Sequence, residues 1–71
     1  PIWKVRYDKV NEGRITLRYG NKMLHLGVGR QHEREEVIAL VKDRDVTIID
    51  TQGTVLGEYE IDPNKNYQPK K

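Results

Sequence analysis

Asp43 and Asp45 lie two residues apart, and Glu33, Glu35 and Glu36 crowd one short stretch, so paired carboxylates for acid–base work are the first chemistry to consider. The two aspartates flank a single arginine. They read better as turn chemistry, because an Asp side chain bonds backbone amides about two residues on. His25 and His32 are the only histidines. Seven residues apart across a glycine loop, with no cysteine to complete a ligand set, they do not make a metal pattern. Gly27-Val28-Gly29 lacks the longer dinucleotide-binding spacing and is expected to bend a strand or form a bulge. Cysteine and serine are both absent, which removes the two commonest side-chain nucleophiles. The expectation is a chain with no catalytic residues, no cofactor and no metal.

The basic residues are more informative. Residues 1–34 carry eight Lys and Arg against three acids, a charge of +5. Residues 35–62 carry two bases against eight acids, −6, and residues 63–71 add three lysines, which together give the overall +2. A basic half of this kind favours an anionic partner. Charge blocks this small also occur as ordinary solvated surface, so the argument depends on which residues share a face.

The elements that would position them must come from 71 residues, 35% apolar and 34% charged. That is one small domain with a thin core and no room for a deep pocket. The longest apolar run, 37–41, is far short of the roughly 20 residues that span a bilayer, and the N-terminus shows no signal-peptide pattern. No membrane partner is expected. The absence of cysteine suits a cytoplasmic setting, and a start at Pro1 rather than Met suggests a piece of a longer protein.

Segment 3–10 alternates, with Trp3, Val5 and Tyr7 on one face and Lys4, Arg6 and Asp8 on the other, which reads as a strand. Asn11-Glu12-Gly13 reads as a three-residue loop and Gly20-Asn21 as a two-residue primed turn. Between and beyond them, 14–19 and 22–28 alternate again. If Val10 faces Arg14 and Tyr19 faces Lys22, both hairpins turn the same set inward: Val5, Tyr7, Ile15, Leu17, Tyr19, Leu24 and Leu26. A one-residue slip would turn that set to solvent. Run 37–41 fits a helix face or a fully buried strand; its β-branched content and the turn at Asp43-Arg44-Asp45 favour the strand. Segments 46–50 and 54–61 flank a second loop ending in glycine, and Pro63 ends the last strand. The expected fold is all-β, a small SH3-like barrel of five or six antiparallel strands over 1–62, followed by a polar tail, 63–71.

In that register Arg6 lies opposite Arg18 on the outer face of a three-stranded meander. Like charges paired across strands are destabilising, and a phosphate between the two would relieve them. Long arginine side chains splaying into water would relieve them as well. Lys4, Arg14, Lys22 and His25 belong to the same surface or its rim, and Arg30 and Arg34 to the loop leaving it. With few aromatics free to stack on bases, duplex DNA is a better anionic partner than single-stranded RNA.

Gly13-Arg14-Ile15-Thr16-Leu17-Arg18-Tyr19, then Leu24-His25-Leu26-Gly27-Val28-Gly29-Arg30 with His32 two beyond, and the ending Asp62-Pro63 with Tyr67-Gln68-Pro69, resemble the C-terminal domain of bacterial insertion-sequence transposases of the retroviral-integrase-like type. The resemblance spans most of the chain from Val5 to Pro69. It implies an SH3-like barrel that binds DNA beside a separate catalytic core and helps to assemble the multimer, with Arg14, Arg18, His25, Arg30 and His32 at the family's basic and loop positions. One departure is Glu33-Arg34-Glu35-Glu36, where that family tends to small residues; three carboxylates there repel phosphate. A protein-interaction module, docking onto a catalytic core or another subunit, is the rival expectation, favoured by the acidic block 35–62.

Overall fold

The computed structural model describes residues 3–71. Its strands are β1 (Lys4–Lys9), β2 (Arg14–Tyr19), β3 (Lys22–Gly27), β4 (Glu36–Lys42), β5 (Asp45–Asp50), β6 (Val55–Glu60) and β7 (Tyr67–Gln68), with a single 3-10 turn, Arg30–His32, between β3 and β4. They form two sheets, one of four strands in the order β1-β4-β5-β6 and one of three in the order β2-β3-β7. Neither closes on itself. The expected SH3-like barrel of five or six strands is therefore corrected to an open, two-sheet all-β domain of seven.

The β2–β3 hairpin follows the turn chemistry. Gly20 takes φ 63° at the first position of the two-residue turn while Asn21 stays at negative φ, the pattern of a primed turn that matches strand twist. Tyr19 faces Lys22, Leu17 faces Leu24 and Ile15 faces Leu26, as expected. Those four Leu and Ile side chains are buried, together with Val37, Ala39, Val46, Ile48, Tyr59 and Ile61 from the other half of the chain. The core thus lies between the two sheets. Run 37–41 is indeed a strand, and it holds the centre of the four-stranded sheet between β1 and β5. The β4–β5 connection is a two-residue turn closed by Lys42 and Asp45, with Asp43 at φ 53°. A bulge between Ile48 and Ile49 leaves Leu56 unpaired on β6, where it packs against the core.

β1 departs from expectation. It pairs with β4, not β2: Lys4 faces Val41, Arg6 faces Ala39 and Asp8 faces Val37. The β1–β2 loop forms only a single bridge, between Asn11 and Arg14, one residue away from the Val10–Arg14 pairing the alternation suggested. Beyond that bridge the two strands diverge. The consequence is the one a slip produces: Val5 and Tyr7 lie on the outer face, Tyr7 79% exposed. Lys4, Arg6 and Asp8 take the side that continues the core face.

The apex where β1 and β2 part is tightly bonded. Gly13, at φ 74°, accepts at its carbonyl from the Val28 and Gly29 amides, both at 2.8 Å. The Glu33 carboxylate accepts from the Glu12 and Gly13 amides at 2.9 and 2.8 Å. These two bonds, chiefly, hold its pKa below the ordinary carboxylate value. Glu33 therefore pins this loop. Its contribution is present above the unfolded-state pKa near 4.5 and is lost as pH falls through the lower folded value. Urea unfolding of Glu33→Ala should accordingly differ from wild type at pH 6 and converge with it at the acid end.

Within residues 63–71, Tyr67–Gln68 joins the three-stranded sheet, while the Lys71 amide donates to Glu58 O on β6 at 2.8 Å. β7 runs parallel to β3, with His25 opposite Tyr67 and Leu26 opposite Gln68, and the His25 amide donates to Asn66 O at 2.8 Å.

Candidate functional site

The expected DNA-binding residues do not all share one face, although Arg14, Arg18 and His25 lie on the side of β2 and β3 opposite the buried Ile15, Leu17 and Leu24. Arg6 is opposite Ala39 and Arg18 opposite Met23, so the arginine pair across a meander does not exist. The two are nevertheless neighbours by another route. With Lys4 they line a cleft of about 250 Å³ where β1 and β2 diverge, walled by Leu17, Tyr19, Val41 and Asp43. The Lys or Arg ion pair among the described residues is Arg14–Glu12, so Lys4, Arg6 and Arg18 reach this cleft without one.

The other candidates lie outside this cleft. Arg14 sits 3.4 Å from Glu12 in a second cleft, nearer the apex, together with Asp8, Lys9, Thr16 and His25. The His25 ring lies 3.3 Å from the Thr16 hydroxyl. Lys22 donates to the Pro63 carbonyl at 2.6 Å and so braces the tail. The Arg30 stem covers Gly13. Arg34 holds a left-handed backbone, φ 69°, and its amide bonds Val10 O at 2.9 Å. His32 pairs with Glu35 at 3.1 Å, not with His25. Among the described residues no three or more His, Asp or Glu side chains are grouped to hold a metal ion, and no helix is long and apolar enough to cross a membrane.

A surface the alternation did not assign stands out on the four-stranded sheet. Register places Tyr7, Ile38, Ile49 and Val55 in one row across the outer face, one residue from each of the four strands. The next row begins with Val5 and Leu40, and Trp3 stands at its margin with the Lys42 ammonium 5.9 Å from the ring centroid. Tyr7, Val55, Trp3 and Val5 are all exposed, and Ile38, Leu40 and Ile49 are half-buried. The signal for it was in β4. A near-continuous apolar run suits a strand covered on both faces, and this one is covered on one.

No family model, no curated protein and no solved structure matches the chain. The resemblance to integrase-type transposases thus has no support from known relatives, and the SH3-like barrel that it implied is not the fold. The terms drawn from it, a DNA-binding transposase module among them, are corrected on those two findings to a small two-sheet all-β domain.

Proposed function

We propose that this domain is a protein-interaction module that docks through the outer face of its four-stranded sheet. One observation carries the reading: an apolar row, Tyr7–Ile38–Ile49–Val55, crosses every strand of the sheet on the side away from the core. Contiguous apolar surface of this kind, rimmed by charge, is characteristic of association surfaces rather than of scattered surface residues. Here the rim is Lys9 and Glu36 at one end, and Lys42, Asp45 and Glu60 at the other.

The test separates docking from folding. Tyr7 is exposed, so Tyr7→Lys should leave the unfolding midpoint within the equivalent of about 0.5 kcal/mol. It should also remove most of the capture of partner proteins that the wild-type domain achieves at matched concentration. Equal capture by Tyr7→Lys and wild type would sink the reading. So would duplex DNA binding that survives Tyr7→Lys but is lost in Arg6→Ala/Arg18→Ala with a strong salt dependence, since a phosphate contact would then be the activity.

A further inference from the structure

Between β1 and β2 the sheet system has two free edges facing one opening. The Val10 amide donates to Glu35 O on the β4 side, so by strand alternation Lys4, Arg6 and Asp8 bond β4, while Val5, Tyr7 and Lys9 turn their backbone groups outward. The Lys9 amide is already taken by its neighbour's carboxylate, Asp8 Oδ1 at 2.7 Å. Val5 O is capped by the Arg6 guanidinium at 3.3 Å. That leaves Val5 and Tyr7 as ladder positions on an edge whose six residues are all exposed.

We propose that this edge of β1 accepts an extended segment of a partner protein as an added strand, and that the segment alternates acidic and apolar residues. The proposal rests on the interaction reading above and specifies the partner's chemistry. A strand laid about 4.8 Å beyond β1 sends successive side chains to opposite faces. One set enters the cleft beside Lys4 and Arg6, facing Arg18, where three cations meet the single carboxylate of Asp43. The other set lengthens the outer apolar rows next to Val5 and Tyr7. Carboxylates suit the first set and Val, Ile or Leu the second. An incoming carboxylate draws the Arg6 guanidinium from Val5 O and frees that carbonyl for the ladder. Charged residues on an edge also serve as guards against strand addition. A guard repels every strand, whereas three like charges in one cleft select an acidic one.

The experiment titrates the domain with a ten-residue blocked peptide alternating Glu and Val, with an alternating Lys–Val peptide, and with the Glu–Val peptide N-methylated at alternate residues on its bonding edge. The Glu–Val peptide should bind and slow amide exchange at Val5 and Tyr7 at least tenfold. The Lys–Val and N-methylated peptides should each bind at least tenfold more weakly, and Arg6→Ala/Arg18→Ala should cost the Glu–Val peptide about tenfold. Equal binding of the N-methylated peptide would overturn strand addition, as would binding that leaves Val5 and Tyr7 unprotected. Absence of Glu–Val binding, while Tyr7→Lys still abolishes partner capture, would overturn the strand proposal and leave the outer-face reading in place. Equal capture by Tyr7→Lys and wild type would remove the reading beneath it.

Discussion

Gln68→Ala should destabilise the domain by about 2–4 kcal/mol, a large fraction of the stability of a chain this size. Gln68 is 1% exposed, a polar side chain inside the domain. Its Oε1 accepts from the Asp62 amide at 2.9 Å, and its Nε2 donates to Asp62 O and Lys65 O, both at 2.8 Å. One side chain thus satisfies three backbone groups of the 62–65 turn and folds it onto β3. Truncation removes three hydrogen bonds, each worth about 1 kcal/mol net, and leaves their partners poorly solvated. For a domain of this length the loss corresponds to a fall in Tm of roughly 10–30 °C. Thermal unfolding followed by circular dichroism measures it. A midpoint within two degrees of wild type would mean that β7 does not hold the tail in solution.

Tyr59→Phe should cost about 1–2 kcal/mol and remove an alkaline weakness of the wild type. Tyr59 stands on β6 of the four-stranded sheet, fully buried, and its hydroxyl donates to Gly27 O on β3 of the other sheet at 2.5 Å. It is therefore a polar tie across the core. Burial, with a smaller contribution from Tyr67, pushes its pKa up to about 12 from an ordinary 10.0. The folded state holds the phenol proton more tightly than the unfolded state. Stability from this group is thus complete below pH 10 and declines as pH rises from there through about 12. Denaturant midpoints taken between pH 9 and 11.5 should fall in the wild type more steeply than in Tyr59→Phe. Parallel slopes would show that Tyr59 does not titrate with unfolding.

The two predictions concern opposite ends of the same problem, which is how two small sheets stay together without a closed barrel. Gln68 holds the C-terminal segment on the three-stranded sheet, and Tyr59 ties that sheet to the other. The proposed interaction surfaces lie elsewhere, on the outer face of the four-stranded sheet and along the free edge of β1. Variants at Gln68 and Tyr59 therefore report on folding, and variants at Tyr7, Arg6 and Arg18 on binding.

Much of the strand content was legible in the residues, because alternation and turn chemistry are local. Gly20 dictates a two-residue turn, and a two-residue turn leaves one register for β2 and β3; Ile15, Leu17, Leu24 and Leu26 are buried accordingly. Gly13 and Gly53 adopt the positive φ their loop positions call for. The run 37–41 signalled a strand with two apolar faces. That information included the outer face, although the alternation of β1 by itself points Val5 and Tyr7 inward.

What the residues alone determined, then, were the first six strands and the β2–β3 hairpin with its inward face. The tertiary structure decided the partner of β1, and with it the sheet division and the candidate surfaces. The physical reason is that a three-residue loop permits β1 either to fold back on β2 or to leave it. Loop length does not make that choice; β4, more than 25 residues away in sequence, pairs with all six residues of β1. Shifting the bridge from Val10 to Asn11 then reverses every side chain of β1. Arg6 and Arg18 meet at a cleft rather than across a ladder, and Tyr7 joins an outer row that no local pattern could assemble, since each of its four residues comes from a different strand.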